Sequence, residues 1–437
     1  MVFLCCLAAL REEFPVRPRR ASRDKLKDRS MRHFMLIPIM LWSVLQPSAP
    51  GVVQAQNLSI QSTSVVYDFA QRMTFTAFVT GAAPLVQAVV FYQSGNQTPA
   101  AHTADAFAPA RDITVTATID LKTNSLTPFS TVSYWWEVKD QVGNTVRSAT
   151  QTVSYVDNRF PWQETVSGQV RVHWYQGDSG YATAAANIAA EVLPRIQQQL
   201  GADSPAPIDI YLYATQDDLR SAVELAGREW LGGQARPELG VVLVAIPPGD
   251  EAQLQMRRDI PHELTHLMTF VATTPNYNHV PRWLDEGLAT LNEGEPNSTQ
   301  ALAVQDALAN QRLIPLETLC GAFPSDASQA LLAYGQSRSV VQTIIDQYGS
   351  SGIQALLAAY RDGATCSGGV ERGLNTTLAG LELQWRTLLQ ANTSTSAPIA
   401  STTAVSVVPW LILIAIIALP FIVLLLARKP DKLTTNH

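Results

Sequence analysis

His262 and His266 stand four residues apart in His262-Glu263-Leu264-Thr265-His266, a pattern of residue types that can hold a metal ion. On a helix, positions i and i+4 differ by about 40° and stack on one face roughly 6 Å apart, so both imidazoles can reach one cation. Glu263 points about 100° further round and is poorly placed as a ligand. It can still approach a water held at an open metal position and act as a general base. Glu286, in Trp283-Leu284-Asp285-Glu286-Gly287-Leu288-Ala289, is a carboxylate that could complete the set. Two imidazoles and one carboxylate suit a single zinc ion per chain and leave a fourth position open. Zinc brings the pKa of a bound water from ~15.7 toward about 7.

The pentapeptide alone also fits an amphipathic helix whose His and Glu face solvent. Two observations favour the metal. The spacing of 20 residues between His266 and Glu286 allows one helix to end and a second to begin. Glu286 also sits among Trp283, Leu284, Leu288, Ala289 and Leu291, an apolar setting in which a carboxylate needs a partner.

These two motifs together resemble the gluzincin superfamily of zinc metallopeptidases, and within it the peptidase MA-like domains of bacterial proteins. The resemblance is strong over the motifs and loose over residues 160–392. It implies His262, His266 and Glu286 as metal ligands and Glu263 as base. It also implies a downstream side chain that stabilises the oxyanion, with Tyr334 the first candidate and His279, Tyr277 and Arg282 its rivals. This chain departs from the pattern in two places. Thr290 stands where thermolysin-like enzymes carry an aspartate four residues after the ligand glutamate. Gly240-Val241-Val242-Leu243-Val244-Ala245 replaces the segment in which aminopeptidases carry a glutamate for the substrate amino terminus. The resemblance therefore implies an endopeptidase rather than an aminopeptidase. It further implies that the strand Gly240–Ile246 is an edge strand against which extended peptide pairs, while its run of consecutive apolar residues fits a core strand as well.

The elements that must position these side chains follow from periodicity. Residues 57–156 read as all-β, with runs at Ser64–Phe69, Met73–Thr80, Val86–Tyr92, Ile113–Asp120, Val132–Lys139 and Thr145–Tyr155 separated by turn signals. Tyr134, Trp136 and Val138 alternate onto one face. The segment looks like an immunoglobulin-like or fibronectin type III-like sandwich without a cysteine pair, serving as a spacer or binding a surface ligand. Residues 160–392 alternate β and α signals and then become helical, as suits an α+β metallopeptidase domain. Strands are expected at Gln169–Tyr175, Ile208–Ala214 and Gly240–Ile246. Helices are expected at Tyr181–Leu200, from a cap at Thr215 to about Gly227, and at Ala252 to about Ala272. The last of these carries the histidine pair and is interrupted by Pro261, so that it either begins near there or kinks there. Further helices are expected at Thr299–Asn310, Ser328–Tyr348, Gly352–Arg361 and Leu378–Gln390.

The ends of the chain carry targeting signals. Val405–Ala427 runs without a charge for more than the about 20 residues that a bilayer core requires, and Arg428 and Lys429 follow at once. This predicts a transmembrane helix at 405–427, a flexible linker at 393–404 and a cytoplasmic tail at 428–437. Residues 1–55 read as a leader with a signal peptide: an apolar core at Phe34–Leu45 precedes a small-residue cleavage site at Val53-Gln54-Ala55, with Met31 as the true start, the competing reading being a long basic n-region on an uncleaved anchor. The catalytic domain would then lie outside the cytoplasm, with peptide or protein as its partner. Cys320 and Cys366, the cysteines outside the leader, form an even pair in an oxidising compartment and are expected to join, with two separate buried thiols as the alternative. A net charge of −6 with no basic patch excludes nucleic acid as an expected partner. The rival reading is a cell-surface binding or adhesion protein with a vestigial peptidase fold.

Overall fold

The computed structural model describes residues 57–204, 207–223, 233–294 and 297–395. The expected leader, transmembrane helix and cytoplasmic tail lie outside the described residues. Among the described residues no helix is long and apolar enough to cross a membrane.

The N-terminal region is sheet-rich, as its alternation predicts. β1 (Ser59–Asp68), β2 (Arg72–Thr80) and β5 (Asp112–Asp120) form one antiparallel sheet. β3 (Leu85–Ser94), β4 (Ala100–Thr103), β6 (Ser130–Asp140), β7 (Thr145–Arg147) and β8 (Gln151–Tyr155) form another. The run expected as one strand from Thr145 to Tyr155 is thus two strands, both paired with β6. Tyr134, Trp136 and Val138 point inward, and Phe75 meets Tyr92 and Tyr134 across the two sheets at 5.9 and 4.9 Å between ring centroids.

The second region opens with β9 (Gln163–Ser167), β10 (Val170–Trp174), α1 (Ser179–Leu200), β11 (Ile208–Tyr213) and α2 (Gln216–Val223). β12 (Gly233–Arg236), β13 (Val241–Ala245) and α3 (Ala252–Thr273) follow. Its sheet runs β12-β13-β11-β10-β9, parallel through its centre and antiparallel at both edges. β13 is therefore an interior strand, which corrects the expectation that Gly240–Ile246 forms an edge. Gly233–Arg236 takes the edge place instead. All five residues of β13 are buried, as expected of a strand covered on both faces.

The alternation along β11 assigns those faces. Ile208, Ile210 and Leu212 join the core beneath α1 and α3. Tyr211 and Tyr213 join Val241, Leu243 and Ala245 in a core shared with Phe69, Phe129 and Tyr155 of the N-terminal sheets. Polar contacts reinforce this junction. Asp157, fully buried, holds Arg159 in a bidentate ion pair at 2.8 and 2.5 Å, and accepts a hydrogen bond from the Tyr213 hydroxyl at 3.0 Å.

After α3 the chain is helical: α4 (Arg282–Asn292), α5 (Ser298–Ala309), α6 (Ala327–Arg361), α7 (Cys366–Leu374) and α8 (Leu378–Thr395). The two helices expected on either side of Gly349 abut within α6 and are parted at that residue, whose backbone is non-helical with a φ of 66° that suits glycine. α8 runs into the segment expected as a linker. Cys320 and Cys366 form the expected disulfide, tying the turn before α6 to the start of α7.

Candidate metal centre

Helix α3 carries Pro261 at its middle, and the missing N–H there leaves the carbonyl of Arg257 without its helical donor. The N–H of Gly294 supplies one at 2.9 Å. The C-terminal end of α4 is thereby fastened to α3 immediately before the histidine pair. The N-terminal end of α4 starts at Pro281, whose fixed backbone leads into the helix. Thr265, Thr269 and Thr273 line the buried side of α3, and each hydroxyl bonds the carbonyl four residues back. His262 and His266 project from an adjoining strip of the same helix and meet α4.

There the three residues implied as ligands converge. His262 Nε2 lies 3.3 Å from His266 Nε2. Glu286 Oε2 lies 3.5 Å from the first and 3.6 Å from the second. Ligand atoms set tetrahedrally at about 2.0–2.1 Å around zinc stand roughly 3.3 Å apart, close to these separations. Glu286 is 2 % exposed, and its Oε2 has no hydrogen-bond partner in the chain although it is buried. Such an acceptor is costly unless something positive fills the space it faces. The donor set and the orphaned oxygen therefore fit a divalent cation.

The electrostatics agree. Burial opposes charge on His262, but the carboxylates of Glu286 and Glu293 outweigh it and push the imidazole up to about 9. Burial likewise opposes charge on His266, and Asp285 and Glu286 overcome it, raising that group well above its ordinary value. Burial also works against ionised Glu286, yet the two imidazoles hold it well below the usual carboxylate range. Without a metal, protons on the imidazoles balance the acidic cluster, and a cation would displace them.

Glu263 is buried one residue beyond His262. Burial raises its carboxyl, with His262 and His266 opposing. A carboxylate moved upward in this way is better matched to taking a proton near neutrality. Tyr334, on α6, lies within electrostatic reach of Glu286, Arg282 and Glu263. Burial and then Glu286 push its hydroxyl up to about 12, so it stays protonated as a donor. Of its rivals, Arg282 contacts Glu286 Oε1 at 2.5 Å, Tyr277 donates to Asp285 at 2.8 Å, and His279 Nδ1 lies 3.3 Å from the carbonyl of Ala364. Tyr277 and His279 thus sit behind the site, whereas Arg282 touches a candidate ligand.

Two residues of the site escaped the sequence reading. Glu293 Oε1 lies 2.9 Å from His262 Nδ1. Asp285 Oδ1 lies 3.0 Å from His266 Nδ1, close enough for strong attraction although the pair is not aligned as a hydrogen bond. Each carboxylate fixes the far nitrogen of an imidazole, so that Nε2 is the atom turned inward. Glu293 was findable: seven residues make about 700°, which returns it to the face of Glu286. It places a carboxylate on His262 although Thr290 stands where thermolysin-like enzymes have their aspartate. Replacing Glu293 by Gln is expected to weaken zinc binding by about 10–100-fold with little change in thermal stability, measurable by competition with a chromophoric chelator. An unaltered affinity would remove Glu293 from the site.

No curated protein matches the chain. Among solved structures, an M1 zinc metallopeptidase from Deinococcus radiodurans is 14 % identical over 76 % of this chain and 93 % of that one, with a TM-score of 0.34. Catalytically inactive OgpA from Akkermansia muciniphila, in complex with an O-glycopeptide, is 8 % identical over 25 % of this chain, which spans only 32 % of that protein, with a TM-score of 0.19. Similarity at this level assigns no residue here. The comparison that reaches the candidate metal cluster is with a family: residues 188–391, which include His262, His266, Glu286, Asp285 and Glu293, match the Peptidase MA superfamily.

Proposed function

We propose that this protein is a zinc-dependent peptidase in which His262, His266 and Glu286 hold one zinc ion and Glu263 is the base. The observation that carries this reading is the convergence of two imidazole Nε2 atoms and one orphaned carboxylate oxygen in a buried site. When bound, zinc supplies Lewis acidity toward a peptide carbonyl and toward water. Glu263 takes the proton from the attacking water and passes it to the leaving amine. Its buried position beside two imidazoles suits both transfers. Tyr334 donates its hydroxyl proton in a hydrogen bond to the oxyanion of the tetrahedral intermediate. Asp285 and Glu293 keep the imidazoles oriented.

Peptide substrate is read as adding to the open side of β12, which pairs only with β13 among the described residues. Backbone hydrogen bonds of that kind do not depend on a free terminus. With no carboxylate in Gly240–Ala245 to hold an amino terminus, this favours cleavage within a chain. The apolar stretch at 405–427 and the leader supply the rest of the reading: a single-pass membrane protein with its peptidase region outside the cytoplasm and a short tail within. The unbroken set of His262, Glu263, His266 and Glu286 weighs against a purely adhesive protein with a vestigial fold.

The purified chain is expected to contain one zinc per molecule. It should cut a diverse peptide library at internal bonds, lose that activity on chelation and recover it with added zinc. Absence of stoichiometric metal, or a library left uncut with metal present, would overturn the proposal.

A further inference from the structure

Arg282 occupies the first turn of α4, where the exposed amide groups of a helix make a cation unwelcome. It is nevertheless held there by a contact of 2.5 Å between its Nη2 and Oε1 of Glu286, one turn on. The two oxygens of Glu286 therefore have different fates. Oε1 is taken by a guanidinium that is 44 % exposed and so has donors left for solvent. Oε2 has no hydrogen-bond partner among the described residues and is the oxygen that faces both imidazole Nε2 atoms.

We propose that Arg282 is a positioning residue that confines Glu286 to single-oxygen ligation, keeping a coordination position free for water and substrate at the expense of metal affinity. The inference rests on the reading of His262, His266 and Glu286 as a zinc site. A carboxylate with both oxygens free can chelate a cation through both. Here a charge-assisted hydrogen bond removes one of them from competition. The same guanidinium places a positive charge beside the metal position, which repels the cation and draws electron density from its ligand. An ordinary structural contact would strengthen metal binding. The Arg282 contact is expected to weaken it and to favour turnover.

That opposition of signs makes the test sharp. Three forms of the full chain are compared: the natural protein, Arg282→Met, which removes both the donor and the charge, and Arg282→Gln, which removes the charge but keeps an N–H donor. Metal affinity is measured at pH 8 by competition with a chelator, and coordination is read from the visible absorption of the cobalt-substituted proteins. Arg282→Met is expected to bind zinc about 3–10-fold more tightly, to show weaker cobalt absorption as a further oxygen joins the metal, and to lose about 10–100-fold in kcat/KM. Arg282→Gln is expected to gain affinity while keeping the absorption of the natural protein. Reduced zinc affinity in Arg282→Met with an unchanged cobalt spectrum overturns the proposal and leaves Arg282 as a brace for α4, with the zinc site intact. Failure of all three forms to bind cobalt or zinc overturns the metal centre itself, and the clamp with it.

Discussion

Glu263→Gln is expected to abolish peptide cleavage while leaving zinc in place. The substitution preserves shape, and Glu263 is not among the three residues that converge on the metal position. What it removes is a carboxylate able to take and return a proton, a contribution of roughly 10²–10⁴-fold in rate. Stability should move the other way or stay level. Burial raises the Glu263 carboxyl, so its ionised form is held at a cost that a neutral amide avoids. Zinc content, melting temperature and kcat/KM should be measured on the same preparation. Cleavage within tenfold of the natural rate would exclude Glu263 as the base, and loss of zinc would make it a ligand.

Gly287→Ala is expected to damage both fold and site, although alanine is the better helix former by about 1 kcal/mol in isolation. A Cβ at this position would lie 2.5 Å from the carbonyl oxygen of Ser337 and 2.7 Å from Cγ2 of Val341. The first of these is backbone in the middle of α6 and cannot swing aside. α4 and α6 must separate, and overpacking of this kind costs about 1–3 kcal/mol or more, enough to reverse the propensity gain. Because Gly287 follows Glu286 directly, the same displacement moves Oε2 away from the imidazoles. A lower melting temperature together with at least about tenfold weaker zinc binding is the expected result. Raised stability would show that the helices can part freely and that the glycine has no packing role.

The metal cluster was legible because its chemistry is local. Two histidines one helical turn apart need only a helix, and of the two starts left open by Pro261 the structure takes the longer, with α3 running from Ala252 through the proline. Glu286 could be picked out by the apolar company it keeps. Tyr334 came from the resemblance alone, and it lies within electrostatic reach of Glu286 and Glu263. The outer carboxylates were harder, since Asp285 and Glu293 look like ordinary helix-surface acids until the partner helix is in view. β12 was missed because Gly-Gln-Ala-Arg has no apolar alternation, and its pairing comes from β13. α7 was missed because Cys-Ser-Gly-Gly is a poor helix opening on propensity alone. Its start is fixed by the Thr365 side chain capping Gly368 and by the disulfide at Cys366. β4 and β9 are short strands of mixed polarity, and their partners decide them in the same way.

Tyr211, Tyr213, Leu243 and Ala245 share a core with Phe69, Phe129 and Tyr155, so the central strands β11 and β13 are covered on both faces. A shortened chain beginning at residue 160 would present those tyrosines to water and leave Tyr213 without Asp157, the acceptor of its hydroxyl. The first hundred described residues are therefore no cassette that evolution or an engineer can swap freely. They act as the floor beneath the strand that leads into α3.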